Sequence, residues 1–183
     1  IDASTAHRVD ENWVYGFAEL AQGVRDQIAG ARLLSNPGCY STGAIAIIAP
    51  LIAAGLIDEE EAVAINAVSG YTGGGKALIS EYHDGGAPAH FVYGLAQNHK
   101  HIPEIMAYTG LLVQPVFAPS VGNFAQGMAV QVPLHLDESR TLAALREALS
   151  DHYAGQQFVA VESPEAIGAR IVPTALNGTN MMR

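Results

Sequence analysis

The segment Ser41 to Ala54 constrains this chain more than any other. It is rich in Ala and Ile and reads as a helix buried in the core, despite Pro50. The longest apolar run, Ala44 to Leu56, is broken by Pro50 and Gly55 and falls short of the roughly 20 residues that span a bilayer. Such a helix has to be covered by protein. The rest of the chain can supply the cover: of 183 residues, 49% are hydrophobic and only 15% charged. That balance excludes an intrinsically disordered chain and suffices for one domain of ordinary size without disulfides.

The covering elements follow from apolar spacing. Phe17, Leu20, Val24 and Ile28 recur at helical intervals, Ala77 to Tyr82 begins another helix, and Thr141, Leu142, Leu145 and Leu149 give the clearest amphipathic one. Val63 to Val68, Leu111 to Ala118, Met128 to Leu136 and Phe158 to Val161 read as strands. Asp2 to Thr5 reads as a loop leaving a strand end, and Gly85 to Pro103 as a turn-rich stretch. Strands that alternate, in this order with helices, predict an α+β fold with a mixed or antiparallel sheet covered by helices. A doubly wound nucleotide fold would open with strand, Gly-x-Gly-x-x-Gly and helix, which the sequence lacks. The net charge of -9 argues against a sequence-independent nucleic-acid binder. Neither a membrane span nor a secretory signal is expected from this sequence. A single cysteine, Cys39, forms no internal disulfide and suits a reducing cytoplasm.

Four segments carry candidate chemistry. In Asn36-Pro37-Gly38-Cys39-Tyr40-Ser41-Thr42-Gly43, a Pro-Gly turn delivers the cysteine to the first turn of the buried helix. Unpaired N–H groups and the helix dipole there favour a thiolate and can receive an oxyanion. In Asn98 to Glu104, His99 and His101 are spaced to point the same way, and a thiol that handles acyl groups needs an acid/base partner. Glu104 can orient an imidazole. A zinc site drawn from Cys39, the histidines and Glu104 is the weaker reading, because one Cys supplies none of the paired spacings of structural sites; no metal is expected. Ser69 to Lys76 is a glycine loop after a strand, suited to phosphates through backbone N–H groups and Lys76. It is not a Walker A loop, since Ala77 stands where Ser or Thr is required. The polar loop Pro119 to Met128 can line a pocket.

Taken in order, these segments resemble the N-acetyl-γ-glutamyl-phosphate reductase family of arginine biosynthesis, in its shorter bacterial type. The matching stretches are Asp2 to Arg8, Tyr15 to Leu20, Asn36 to Tyr40, Ala67 to Lys76, His99 to Glu104 and Ser120 to Met128. The resemblance implies that Cys39 attacks an acyl phosphate to form a thioester and that hydride from NADPH reduces it to the semialdehyde. It implies His101 as acid/base residue, with His99 its neighbour and Glu104 an orienting group. Ser69, Gly70, Gly73 and Gly74 match the loop beside the cofactor. Arg8, Asn36, Tyr40, Lys76, Ser120 and Gln126 are the expected substrate-binding residues. Gln126 stands where the longer type has an arginine, which leaves the substrate carboxylate without an assigned partner.

The family pairs an amino-terminal dinucleotide-binding domain with a catalytic and dimerisation domain resembling the second domain of glyceraldehyde-3-phosphate dehydrogenase. Residues 1–36 are then expected to lead out of the first domain and 37–183 to form the second. NADP(H) is expected to be held mainly by a domain outside this chain, so that the chain alone lacks hydride transfer. The Ile1 start fits a cut near a domain boundary. A cytoplasmic homo-oligomer acting on a small acyl phosphate, with no nucleic-acid or membrane partner, is the resulting expectation. The alternatives are a cysteine hydrolase or acyltransferase without hydride chemistry, and a self-association module with an inert Cys39.

Overall fold

The computed structural model describes all 183 residues. Its centre is helix α2 (Cys39–Ala53), which is apolar on every side and therefore packed on two. Tyr40, Ala44, Ile48 and Leu51 face one cluster with Ile65, Ala67, Ile102, Ile105 and Phe117. Ile45 and Ala46 face a second with Tyr15, Phe17, Tyr153 and Val159. Pro50 has no N–H to give the Ala46 carbonyl one turn back. The Tyr153 hydroxyl donates to that carbonyl instead, at 2.7 Å, and the helix continues through the proline to Ala53.

Beside α2 lies a four-stranded mixed sheet in the order β4 (His90–Val92), β5 (Val116–Gly122), β3 (Ala64–Gly70), β6 (Met128–Gln131). β3 and β5 are parallel, with Ser69 opposite Val121 and Gly70 opposite Gly122. The two outer strands pair antiparallel. Gly43 lets α2 lie directly on β6: a Cβ there would come within 2.7 Å of the Val130 side chain. The opposite face of the sheet carries Asn66, Val68, Val92, Ala118, Ala129 and Gln131 around a shallow depression.

Smaller elements complete the cover. The two-residue strands β1 (Val14–Tyr15) and β2 (Leu34–Ser35) pair in parallel, and Asp2 bridges to Ser35 beside them. The helices α1 (Val24–Gly30), α3 (Gly75–His83), α4 (Ile102–Thr109), α5 (Leu142–His152) and α6 (Pro164–Ile167) follow in chain order. None of the helices is long and apolar enough to cross a membrane.

The α+β architecture with a mixed sheet is as expected, and four boundaries differ from the sequence reading. The periodic stretch from Phe17 turns into helix only after Gly23, whose φ of 85° breaks it. β5 starts at Val116, because Pro115 and the turn at Gly110 hold the preceding residues out of the sheet. β6 ends at Gln131, before Pro133. Phe158 to Val161 makes only an isolated bridge, Val159 to Met182.

Candidate active site

Gly38, extended at φ -71° and ψ 143°, is the N-cap of α2, and Cys39 is its first residue. Gly38 is required there by space rather than by backbone angle. A Cβ would stand 2.5 Å from Nε2 of His101 and 2.6 Å from Nη1 of Arg8, closer than real atoms approach. The missing side chain is what brings the imidazole up to the peptide that precedes the cysteine.

His101 is buried at the N-cap of α4, and its backbone N–H donates to Nδ1 of His99 at 3.1 Å. The His99 ring packs edge-on against Tyr40, Tyr93, His101 and Phe117. Nδ1 of His101 is buried with no hydrogen-bond partner, so Nε2, the nitrogen toward Gly38, is the one left to exchange a proton. Burial, reinforced by the charges on His99, Arg8 and Lys100, pushes the His101 pKa down to about 3. The ring is neutral at pH 7.

Cys39 is open to solvent. Protein atoms crowding its sulfur nonetheless push the thiol above its ordinary value, against the pull of the Tyr40 and Cys39 N–H groups and the charges of Arg8 and Lys100. This corrects the expected resting thiolate. Desolvation outweighs the helix terminus, so the sulfur rests as a thiol and ionises when its proton is taken.

Glu104 sits in the first turn of α4 and is 1% exposed. Its Oε1 accepts from the Tyr15 hydroxyl at 2.7 Å and the Gly38 N–H at 2.6 Å. Its Oε2 accepts from the Ser41 hydroxyl at 2.8 Å and from Arg8 at 3.3 Å. None of these bonds goes to a histidine, so Glu104 holds the cysteine turn and does not orient the imidazole as expected. Arg8 is also committed: Nε donates to the Asn36 carbonyl at 2.9 Å and Nη2 to the Ala3 carbonyl at 3.0 Å. Its buried guanidinium braces the turn instead of reaching for a substrate anion.

The site lies at the carboxyl ends of the parallel strands β3 and β5, where crevices form in sheets of this kind. The buried Tyr40 hydroxyl donates to the Ser120 carbonyl at 2.8 Å, and the buried Ser120 hydroxyl to the Ala67 carbonyl at 2.8 Å. Both hydroxyls donate within the protein and tie α2 to the sheet. The glycine loop also differs from expectation at its start. The N–H groups of Gly70, Tyr71 and Thr72 donate to the carbonyls of Gly127, Phe124 and Ala125, and Ser69 is buried with its hydroxyl on the Gly70 carbonyl. Gly73, Gly74 and Lys76, by contrast, are exposed, as are Asn36 and Gln126. Tyr15 and Ser41 complete the Glu104 cluster; both lie in stretches the sequence singles out, but nothing local pairs either with Glu104.

A cysteine at the start of a buried helix, with a neutral imidazole packed on the preceding residue, defines this as a cysteine-centred α+β domain. A family model described as semialdehyde dehydrogenase, dimerisation domain, matches residues 39–183, and the chain belongs to that family. It is 50% identical over 193 residues to the N-acetyl-gamma-glutamyl-phosphate reductase of Brucella anthropi, an alignment covering 100% of this chain and 62% of that protein. It is 54% identical over 169 residues to the enzyme of the same name from Brucella ovis, covering 88% of this chain and 54% of the relative. The chain thus spans less than two thirds of the curated relatives it matches. Among solved structures, the aspartate semialdehyde dehydrogenase of Francisella tularensis shares the fold at a TM-score of 0.59 and 12% identity, covering 98% of this chain and 62% of that one.

Proposed function

We propose that the protein reduces N-acetyl-γ-glutamyl phosphate to N-acetylglutamate semialdehyde with NADPH, and that this chain supplies the nucleophile and its acid/base partner. The observation that carries this reading is Cys39 at the N-terminus of α2 with His101 buried against Gly38. The names of the half-identical relatives support this choice of substrate. Sγ of Cys39 attacks the acyl carbon, the carbon–sulfur bond forms, and the carbon–oxygen bond to phosphate breaks with loss of inorganic phosphate. The N–H groups at the helix start receive the oxyanion that develops in that step. His101 exchanges the thiol and product protons through Nε2.

NADPH, when bound, supplies the hydride that reduces the thioester. The exposed Gly73 and Gly74 fit the approach of its reactive end, because neither carries a side chain of its own. The paired N–H groups of Gly70 to Thr72 leave this loop little to offer a pyrophosphate, so the chain holds one end of the cofactor. The open sheet face, with Val92 49% and Val116 59% exposed, suits a second copy of the chain, as does the family's description as a dimerisation domain. A single free thiol acting as nucleophile suits a reducing cytoplasm.

The test is to incubate the protein with the acyl phosphate and weigh it intact. A mass increase of one acyl group, absent in Cys39→Ser, is expected. No adduct, or an adduct that survives the substitution, overturns the reading.

A further inference from the structure

We propose that Glu104 is a positioning residue for acyl transfer at Cys39, and that it relays to the nucleophile the placement of Arg8 and Tyr15. The proposal rests on the reading that Cys39 takes up acyl groups.

Four donors converge on one carboxylate that water does not reach. Two of them flank the nucleophile, Gly38 N–H before it and the Ser41 hydroxyl in the first turn after it. Cys39 is held between two bonds to the same side chain. The other two come from β1 and from the segment ahead of it, so the nucleophile's frame includes residues far away in sequence. The hydroxyl of Tyr15 and the Gly38 N–H share Oε1, and shifting one moves the other's acceptor.

An oxyanion is stabilised only if the N–H groups aimed at it sit within a few tenths of an ångström of the productive position. Acyl transfer therefore senses the frame around Cys39, whereas alkylation, which develops no oxyanion, senses mainly the thiolate. Glutamine cannot replace Glu104 here. It has one acceptor oxygen and an NH₂ group that would confront at least one of the four donors.

Two generic reagents separate the effects. With p-nitrophenyl acetate, the Cys39 thiolate attacks the ester carbon, and the oxyanion collapses with cleavage of the carbon–oxygen bond, leaving an S-acetyl group and p-nitrophenolate. With iodoacetamide, the carbon–sulfur bond forms as iodide leaves. Both rates are measured above the thiol midpoint, where the sulfur is ionised, and expressed as a ratio of acylation to alkylation. Glu104→Gln is expected to lower that ratio about tenfold, and Tyr15→Phe or Ser41→Ala about threefold. Added to Glu104→Gln, Tyr15→Phe is expected to lower it no further, because its route to Cys39 is gone.

A residue that only supports the fold would slow both reactions in parallel. An unchanged ratio, parallel losses, or an equal effect of Tyr15→Phe in both backgrounds overturns the proposal, as does failure of the ester to acylate the unmodified protein. Should Glu104→Gln not fold, Tyr15→Phe and Ser41→Ala carry the test, since each keeps the carboxylate. Because neither reagent resembles the acyl phosphate, a protein that shows these ratios yet takes no acyl group from N-acetyl-γ-glutamyl phosphate would refute the proposed substrate and leave the positioning role standing.

Discussion

Two glycine turns of the chain are held by opposite means. The turn at Asn36 to Tyr40 is fixed by side chains: Glu104 on the Gly38 N–H, Arg8 on the Asn36 carbonyl, and His101 filling the space Gly38 leaves empty. The loop at Ser69 to Lys76 is fixed by main chain, its first N–H groups on the carbonyls of the 123–127 loop. A turn held by side chains can place a reactive atom with defined charge and hydrogen bonding, but depends on a few residues scattered through the chain. A loop held mostly by backbone tolerates most changes of side chain and depends chiefly on its glycines, with one added bond from the Thr72 hydroxyl to the Ala125 carbonyl.

The largest test of this contrast is Gly38→Ala. The new methyl would meet His101 and Arg8, and neither can yield. Arg8 has its nitrogens committed on three sides, and His101 is buried. We expect a loss of stability of about 1–3 kcal/mol from overpacking and a fall in Cys39 acylation of about a hundredfold from displacement of the imidazole and the helix start. Thermal melting and the rate of adduct formation measure the two. Normal acylation in a folded Gly38→Ala protein would break the comparison at its first term.

Acid sensitivity should also belong to the first turn. His101 is neutral in the folded chain down to about pH 3, whereas an unfolded histidine binds its proton near pH 6.5. Between those values the unfolded state binds the extra proton, so stability rises with pH there and is lost as pH falls from 6.5 toward 3. The slope is at most about 1.4 kcal/mol per pH unit. Above pH 6.5 the ring is neutral in both states and adds no slope. Denaturant unfolding across this range should show the slope, and His101→Asn should flatten it by one proton's worth. The alkylation profile of Cys39, by contrast, should rise in a single step above the ordinary thiol range, with no inflection between pH 5 and 8.

Gly70→Ala sharpens the second term. Its Cβ would fall 2.5 Å from the Ala125 carbonyl oxygen, and two main-chain segments would have to part. A stability loss of about 1–3 kcal/mol is expected, with Cys39 alkylation unchanged. Slower alkylation in a folded variant would show that the two turns are mechanically joined.

The same contrast explains what the sequence made legible. Cys39 could be placed at a helix start because Pro37 and Gly38 precede an apolar run, and His101 could be named because its chemistry suits a thiol. These are local arguments, and the strands β3 and β6 were located by the same kind of reasoning. The role of Glu104 was not legible, since its partners Tyr15 and Arg8 lie 89 and 96 residues away. A sequence shows that a carboxylate is present without showing which donors the fold will bring to it. The helix expected from Phe17 begins late for a different reason: apolar spacing ran across Gly23, and the glycine's positive φ outweighed the period up to that point.

Gln97 offers the smallest and most selective test. It is the only non-glycine residue with positive φ, at 53°, a conformation that side chains other than Asn, Asp and His seldom adopt. The structure shows what holds it there. Its side-chain amide donates to the Phe117 carbonyl at 2.9 Å and accepts from the Phe117 N–H at 2.8 Å, acting as a short extra strand beside β5. The amide thereby anchors the loop that carries His99 and leads into His101. Gln97→Ala removes both bonds while keeping the unfavourable backbone angle, and should cost about 1–2 kcal/mol, read from denaturant midpoints. Gln97→Gly also removes the bonds but relieves the angle, and should cost less in the folded state. If the glycine variant is the more stable and its Cys39 acylates more slowly, the clamp serves to place the histidines. If acylation is unaltered in both variants, Glu104 and Gly38 alone fix the reacting groups, and the side-chain-held turn is the smaller unit of the two.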